Sequence, residues 1–329
     1  MCTPTVVSEA QKKRIAAYAA TFRQATTSPF GADDEIGMLN LIDTRSRDAI
    51  VSRADASKVF DLSVDYFVGM PSWDKAGDPQ YQVWMTHTPT GEQITDHMKL
   101  GRKAQELVAY SGDAISMYTH CGTHIDTLNH FGYHGEIYNH FKVSEHIGSR
   151  TWSVCGAEKH PPIIARGILL DVAALHGLDE LPDSHGIGRT DIDGCLKHQN
   201  VEVRPGDVVL LRTGRIHAWP DPIRYMSKPP GLTREGASYL AHAGAIMIGS
   251  DTHTLEQVPP TDPENWLPVH TYLLAEAGVT IMEIADLEAV AADKLYEFAF
   301  FGACLRLRGA TGCVRSSCRS GDSRANLKG

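Results

Sequence analysis

The sequence lacks long apolar runs, basic stripes and a signal peptide, and each absence excludes a class of protein. No stretch approaches the ~20 apolar residues that a membrane-spanning helix needs. The first residues contain no apolar core of the kind that secretory signals carry. Nucleic-acid binding needs a positive surface, whereas 31 Lys and Arg against 40 Asp and Glu give a net charge of −9. The composition therefore predicts a soluble, cytoplasmic protein without nucleic-acid or membrane partners.

Cysteines are also few, with 7 scattered along 329 residues. Disulfide frameworks are typical of short secreted chains with even numbers of cysteines, so we expect reduced thiols here. The Gly-x-Ser-x-Gly elbow of serine hydrolases and the full Gly-x-Gly-x-x-Gly fingerprint of dinucleotide folds are both missing. The residue type that stands out is histidine, with 16 residues, several of them between positions 120 and 146.

The hydrophobic pattern predicts a mixed α/β fold. Two continuous apolar runs, at 168–170 and 208–211, predict central strands that are buried on both faces. The strand candidates are residues 59–66, 81–87, 106–110, 115–121, 163–172, 207–213, 244–249, 279–282 and 297–307. Helices are expected at 190–198, 233–243, 267–277 and 284–293. Strands outnumber helices and do not alternate with them regularly, so a mixed sheet with flanking helices fits better than a doubly wound fold.

The chain is interpreted as an N-terminal arm, one main domain and a tail. A capping box at residues 8–11 and helically spaced apolar residues predict a first helix over 8–25. A turn-rich connection follows, so residues 1–56 form a helix-and-loop arm packed on a domain at 57–315. Residues 316–329 are polar and rich in Gly and Ser, which predicts a flexible tail.

The segment 120–130, His-Cys-Gly-Thr-His-Ile-Asp-Thr-Leu-Asn-His, is the most informative about chemistry. Two imidazoles and a carboxylate, at His120, His124 and Asp126, are ligand types that zinc, manganese or iron(II) takes. A helix would bring positions four apart together, but Gly and β-branched residues in the segment disfavour a helix. The alternative is that these histidines only satisfy hydrogen bonds in a polar interior.

In an extended segment, by contrast, alternate side chains share one direction. We therefore expect His120, His124 and Asp126 to face one cation from an extended segment. Gly122 would leave space for the ion, and Cys121, at an odd position, would point away.

The pattern His-x-Gly-Thr-His-x-Asp, with a further His four residues after the Asp, resembles the signature of the cyclase-like metal hydrolases. This family includes bacterial kynurenine formamidases and isatin hydrolases. The resemblance covers roughly residues 57–315, and residues 1–56 resemble the arm of the longer members. Its other matching stretches are residues 61–63, 69–71, 206–214 and 305–312. One departure is Leu128, where the usual pattern has Pro, which changes a turn residue rather than a ligand.

The resemblance implies the family's swivelling β/β/α fold, with a mixed sheet in a single domain. It implies a divalent metal, zinc or manganese, as one or two ions. Further ligands would be His270, on a late helix, and Glu283, after the next strand. His130 is similar to the family's acid/base histidine, and its alternative role is an outer-shell partner that orients Asp126.

Aromatic residues supply candidate substrate contacts. Trp73 and Trp84, with Tyr81, could form a wall for a flat substrate, and Phe131, beside His130, is a further candidate. Core packing is the alternative role for these side chains. The loop 250–253, Ser-Asp-Thr-His, either lines the same pocket or makes ordinary turn hydrogen bonds.

Together, the motif and the resemblance predict a metal-dependent hydrolase of the amidohydrolase or lactonase type, acting on a small molecule through a metal-activated water and a His acid/base. Candidate substrates are a cyclic amide or lactam, an N-formyl arylamine and a lactone. One alternative is a dehydratase or cyclase acting through an enolate, and another is a non-catalytic ligand-binding protein that retains the metal site. The resemblance also implies a homo-oligomer, a dimer or tetramer, in which the arm could contact a partner subunit.

Overall fold

The computed structural model describes residues 23–321, except residues 263 and 317. The strands are β1 (Asp55–Asp61), β2 (Gln82–His87), β3 (Gly112–Ser116), β4 (His124–Asp126), β5 (Ile163–Asp171), β6 (Gly186–Ile187), β7 (Val208–Arg212), β8 (Gly231–Leu232), β9 (Met247–Ser250), β10 (Thr280–Glu283), β11 (Glu297–Cys304), β12 (Gly312–Ser316) and β13 (Cys318–Gly321).

The α-helices span Thr44–Val51, Pro89–Thr95, Arg102–Leu107, Val143–His146, Val172–Leu175, Arg189–Gln199, Pro222–Tyr225, Arg234–His242, Pro268–His270 and Glu288–Ala292. The helix Pro268–His270 continues as a π-helix over Thr271–Glu276. Short 3-10 helices lie at Gly37–Leu41, Asp74–Ala76, Tyr138–His140, Ala157–Lys159 and Arg215–Ala218. Within residues 23–321, apart from 263 and 317, no helix combines the length and the hydropathy that crossing a bilayer requires.

A mixed sheet organises the domain. In the part of the chain that the structure describes, its nine strands have the order β1-β13-β11-β12-β4-β10-β9-β7-β5. β5, β7, β9 and β10 are parallel neighbours, whereas β4, β12 and β11 pair antiparallel. β11 also pairs with β5, so the sheet curls back on itself. The short strand β4 lies between β10 and β12, which places it inside the sheet rather than at an edge.

The core forms around the strands that the sequence marks as continuously apolar. All of β7 and all but one residue of β5 are buried, as expected for parallel strands covered on both faces. The helices Arg189–Gln199 and Arg234–His242 add Ile192 and Leu240 to this core. Thr233 caps the second of these helices by accepting the Gly236 N–H at 3.1 Å. The mixed α/β fold in a single domain is therefore confirmed.

Two strand predictions were wrong, and the strand expected at 59–66 lies earlier, at Asp55–Asp61. Residues 102–107 form a helix where a strand was expected at 106–110, because Arg, Lys, Ala, Gln, Glu and Leu are all good helix formers. The strand expected at 115–121 ends at Ser116, and the chain then turns into Gly122. The helix expected at 284–293 is shorter and begins at Glu288.

The domain boundaries differ in part from those expected. Most of the predicted first helix, 8–25, lies outside the described residues. The following part of the predicted arm joins the main core, since Met38 and Leu39 are buried in it. Cys318–Gly321, which the sequence analysis assigned to the tail, pairs with both β1 and β11. Residues 322–329 lie outside the described residues.

Candidate metal centre and active site

The strand β4 carries two of the expected metal ligands on one face. His124 and Asp126 are two positions apart in this extended strand, so they point to the same side, and Ile125 points into the core. Glu283, the last residue of β10, pairs directly with His124. All three polar side chains are buried. The extended geometry expected for residues 120–126 is thus confirmed only over 124–126, because the chain turns at residues 119–123 and His120 lies outside the strand. The register brings in Glu283.

The two threonines of the motif hold β4 in place. Thr123 Oγ1 donates to the Ile284 carbonyl at 2.6 Å and accepts the Val64 N–H at 3.0 Å. At the other end, the backbone N–H and the hydroxyl of Thr127 both donate to the Thr311 carbonyl, at 3.0 and 2.8 Å. Both ends of the strand are therefore tied to neighbouring segments, so its functional side chains are held on a rigid element.

Gly122 has a different role from the one expected. Its φ of +62° is in the left-handed region, and an added Cβ would lie 2.2 Å from the ring of Tyr66. The glycine is therefore needed for a turn against Tyr66 rather than to leave space for a cation, and that interpretation was wrong. Cys121 does point away, and its Sγ donates to the Tyr118 carbonyl at 2.9 Å. Burial raises the pKa of Cys121 to about 12, so the group stays a thiol.

His124 turns one ring nitrogen, Nε2, towards the cluster. Its Nδ1 lies 2.8 Å from the Gly122 carbonyl, and because a carbonyl only accepts, Nδ1 carries the proton. Its Nε2 lies 3.2 Å from Asp126 Oδ1 and 3.4 Å from Glu283 Oε2. Nε2 is thus the nitrogen of His124 that faces both carboxylates and is placed to bind a cation.

His270 reaches the same cluster from the end of the helix Pro268–His270. Its Nδ1 donates to Glu256 Oε1 at 2.6 Å, and the two Glu256 oxygens also accept the backbone N–H groups of Val269 and His270. Its Nε2 lies 3.2 Å from Glu283 Oε1 and 3.6 Å from Asp126 Oδ2. Glu256 thereby fixes the ring with Nε2 facing the cluster, an arrangement typical of metal-binding histidines.

Sequence reasoning missed Glu256. No motif marks this residue, and the only available signal is its position shortly after the loop 250–253 that follows a buried strand. Its side chain is 1% exposed, which is rare for a glutamate that has no specific partner.

Three ligand atoms of the cluster have no hydrogen-bond partner although they are buried. They are His124 Nε2, Asp126 Oδ2 and Glu283 Oε1. Buried polar atoms are normally satisfied, so their convergence needs an explanation. One ligand atom from each of these residues lies within 4.8 Å of the others. A divalent cation of the kind that accepts imidazole and carboxylate, such as zinc or manganese, fits this donor set.

The charges of the cluster support the same conclusion. Burial and repulsion from Asp126 raise the pKa of Glu283 to about 7. Although burial opposes it, the neighbouring carboxylates of Asp126, Glu256 and Glu283 raise the pKa of His270 well above its usual range. The buried carboxylates therefore draw protons into the cluster, and a bound cation would supply that positive charge instead.

His120 and His130 form a second layer of the cluster. His120 Nδ1 donates to Asp126 Oδ1 at 2.6 Å, and its Nε2 lies 2.9 Å from the Thr311 hydroxyl. His130 stacks on His120 with the ring centroids 3.8 Å apart. His120, Asp126 and His130 also offer ligand atoms within 4.8 Å of one another. The two ligand groups share Asp126, an arrangement compatible with one cation or with two.

The surroundings of His130 keep its imidazole neutral. Burial and the neighbouring His120 hold the pKa of His130 well below its usual range, so the imidazole is neutral at neutral pH. The imidazole that hydrogen-bonds Asp126 at 2.6 Å is His120. The hydrogen bond that an orienting partner of Asp126 would make is thus made by His120 rather than by His130.

A cavity of about 140 Å³ lies beside the cluster. It is lined by Trp73, Ala76, Asp78, Tyr118, His120, His130, Phe131, His253, Trp266, Leu267, His270 and Glu283. Trp73 and Phe131 are thus in the cavity wall, where the sequence placed them. Sequence reasoning missed Tyr118 and Trp266, because isolated aromatic residues carry no signal that separates a cavity wall from the core.

Two further residues were candidates for the cavity wall, Trp84 and His253. Trp84 does not line the cavity: it lies on β2 and is 50% exposed, because β2 pairs only with β3 among the described strands, outside the main sheet. His253, one of the loop residues with two possible roles, lines the cavity and contacts Trp73 edge to face at 5.2 Å. Burial and the neighbouring Arg215 lower the pKa of His253 to about 3, so it contributes a neutral imidazole.

Comparison with solved structures places the fold among cyclases and metal-dependent hydrolases. A protein described as a novel cyclase superposes with a TM-score of 0.79 at 24% identity, over 91% of this chain and 98% of the other. Isatin hydrolase A from Labrenzia aggregata, bound to benzyl benzoate, gives 0.59 at 17% identity over 80% and 94% of the two chains. A predicted metal-dependent hydrolase from Bacillus stearothermophilus gives 0.52 at 19% identity over 80% and 97%. Because these identities are 24% or lower, the similarity establishes the fold and not the reaction.

Comparison of sequences gives the family. No curated protein matches this chain. The family model named Cyclase, with the description "Putative cyclase", matches residues 60–257, which is more than half of the chain and includes the 120–130 segment. The resemblance to cyclase-like metal hydrolases is confirmed, and the chain belongs to the cyclase family.

Proposed function

We propose that this protein is a metal-dependent hydrolase that cleaves an amide or ester carbonyl in a small molecule. The observation that carries the proposal is the convergence of three unpartnered, buried ligand atoms, from His124, Asp126 and Glu283, beside a cavity. His270 would be a fourth ligand, held by Glu256, and zinc or manganese would be the metal. Ligand-binding clefts with convergent polar groups and perturbed pKa values are typical of active sites.

The residues around the cluster supply the remaining chemistry. A divalent cation held by these ligands would lower the pKa of a water to about 7 and polarise the substrate carbonyl. His130 lines the cavity with a neutral imidazole, so it can take a proton from the attacking water. It can then return that proton to the leaving nitrogen or oxygen. His120 would be either a ligand through Nδ1 or the residue that orients Asp126.

The cavity favours a compact, flat substrate. Its volume of about 140 Å³ is similar to that of an engineered protein cavity that binds benzene. Trp73, Phe131 and Trp266 offer aromatic surfaces to a planar ring. A lactam, an N-formyl arylamine and a lactone each combine such a ring with a hydrolysable carbonyl. Among these three candidates, the lactam is supported by the isatin hydrolases among the similar structures.

The proposal is tested by turnover on lactams, lactones and formanilides, with and without a chelator. We expect hydrolysis of at least one class, loss of activity on chelation, and recovery with zinc or manganese. Oxygen from labelled water should appear in the product. Label-free product would favour the enolate-forming dehydratase or cyclase, and absence of turnover despite bound metal would favour a non-catalytic ligand-binding protein.

We also propose that the chain forms a homo-oligomer through the segment 82–116. Its large exposed hydrophobic side chains are Val83, Trp84, Met85, Ile94, Met98, Leu100, Leu107, Val108, Tyr110 and Ile115. A two-stranded sheet such as β2–β3 is only marginally stable alone, and a large exposed apolar patch is typical of protein contacts. A second copy of this chain, related by a twofold axis, would cover both patches at once.

Replacing Trp84 by Glu should shift the mass towards the monomer in size-exclusion chromatography with light scattering, because a charge would be buried in the contact. The matched control is Ile223→Glu, at an 81% exposed position outside this segment, which should leave the mass unchanged. A variant lacking residues 1–22 tests the arm separately. A monomeric wild type would contradict the proposal, as would dissociation caused only by that truncation.

A further inference from the structure

A second group of metal-ligating side chains lies away from the candidate active site. His160, Cys304 and Cys313 each offer one ligand atom, and these atoms lie within 4.8 Å of one another. His160 directly follows the 3-10 helix Ala157–Lys159, Cys304 ends β11, and Cys313 is on β12. Three separate segments of the chain thus meet at this point.

The sheet register places the two cysteines on the face opposite the active site. Cys313 pairs with Ile125, so it shares the face of Ile125 and lies on the other side from His124 and Asp126. Cys304 pairs with Arg315, two positions after Cys313, and therefore belongs to the same face as Cys313. The two thiols are diagonal neighbours across an antiparallel pair, a distance that one metal ion can bridge.

His160 gives the independent sign that a ligand belongs here. Its side chain is 7% exposed, and both ring nitrogens are buried without a hydrogen-bond partner. A neutral imidazole always has one donor and one acceptor, so a buried ring normally finds a partner for at least one of them. Here a ring nitrogen of His160 faces two sulfur atoms, which are weak hydrogen-bonding groups but strong metal ligands.

We propose that His160, Cys304 and Cys313 form a second metal site that binds zinc. One imidazole and two thiolates are a common zinc donor set, unlike the imidazole and carboxylate set at the active site. Binding would release two protons, one from each thiol, so the ion's two positive charges are balanced by two thiolates. A fourth position, beside the partly exposed Cys304, would be filled by water. The site would join β11 and β12 to the segment before β5.

Cobalt titration of the metal-free, fully reduced protein tests this proposal. Cobalt bound to thiolate gives a sulfur-to-metal charge-transfer band, whereas cobalt at the imidazole and carboxylate cluster does not. We expect the wild type to show this band at one equivalent, and zinc to abolish it by competition. Cys304→Ser and Cys313→Ser should each lose the band at equimolar cobalt. His160→Gln should weaken binding by more than the ~10–100-fold that loss of an outer-shell partner costs.

The matched control is Cys195→Ser, which removes a buried thiol on the helix Arg189–Gln199 and should keep the band. Circular dichroism establishes that each variant is folded, and Cys304→Ser is the safest variant because Cys304 is only partly buried. A reduced wild type without the band would overturn the proposal. A band that survives in both cysteine variants would also overturn it. Hydrolysis by Cys304→Ser should be unchanged, so this result is independent of the proposed function.

Discussion

Replacing Asp126 by Asn is expected to remove cation binding and hydrolysis together. Asp126 is fully buried, lies within 3.6 Å of three imidazoles, and belongs to both ligand groups of the cluster. Asn preserves the shape of the side chain but removes the negative charge that holds a divalent cation. We expect a loss of activity larger than the ~10²–10⁴-fold that a general base contributes, because the activated water is lost with the metal.

Metal content and turnover should be measured on the same Asp126→Asn preparation, with thermal unfolding to establish that it is folded. The matched control is Asp78→Asn, which lines the same cavity but belongs to neither ligand group. That variant should retain its cation. If Asp126→Asn kept a stoichiometric cation at the cluster, the proposed ligand set would be incorrect.

Replacing His130 by Gln should lower kcat by ~10²–10⁴-fold while the cation is retained. His130 is stacked on His120 and lines the cavity, and its low pKa keeps the imidazole unprotonated at neutral pH. Gln can hydrogen-bond a substrate but cannot carry the proton from water to leaving group. Substrate affinity should therefore change less than kcat.

The control for His130→Gln is His134→Gln, an exposed histidine four positions later, which should leave kcat unchanged. Metal analysis decides between the two roles that the geometry allows. If His130→Gln lost one of two bound cations, His130 would be a ligand in the group with His120 and Asp126. That outcome would contradict its assignment as the acid/base residue.

Local sequence patterns predicted the site best where chemistry and secondary structure depend on neighbouring residues. Alternation in an extended strand was enough to put His124 and Asp126 on one face, and the structure has this geometry. Glu283 is 157 positions beyond Asp126, and only the β4–β10 register brings it opposite His124. Glu283 was predicted as a ligand from the resemblance to the family, because the sequence around it contains no signal of that role.

Other features could not be predicted because they depend on contacts between distant segments. Gly122 was predicted to leave space for the cation, whereas in the structure it allows the chain to turn against the ring of Tyr66. Glu256 has no motif, and its function becomes visible only from its hydrogen bonds to His270. Trp84 was grouped with Trp73 by residue type, but the two-stranded β2–β3 sheet carries it to the surface. Residue type and spacing therefore identified ligands of the cluster. The roles of the residues around them depend on tertiary contacts, which the sequence does not show.

The most direct test of the proposed metal centre is anomalous X-ray diffraction from crystals grown with zinc or manganese. We expect an anomalous peak within bonding distance of His124 Nε2, Asp126 and Glu283, with His270 Nε2 facing it. A cation-soaked crystal with no peak among these side chains would contradict both the site and the chemistry assigned to it.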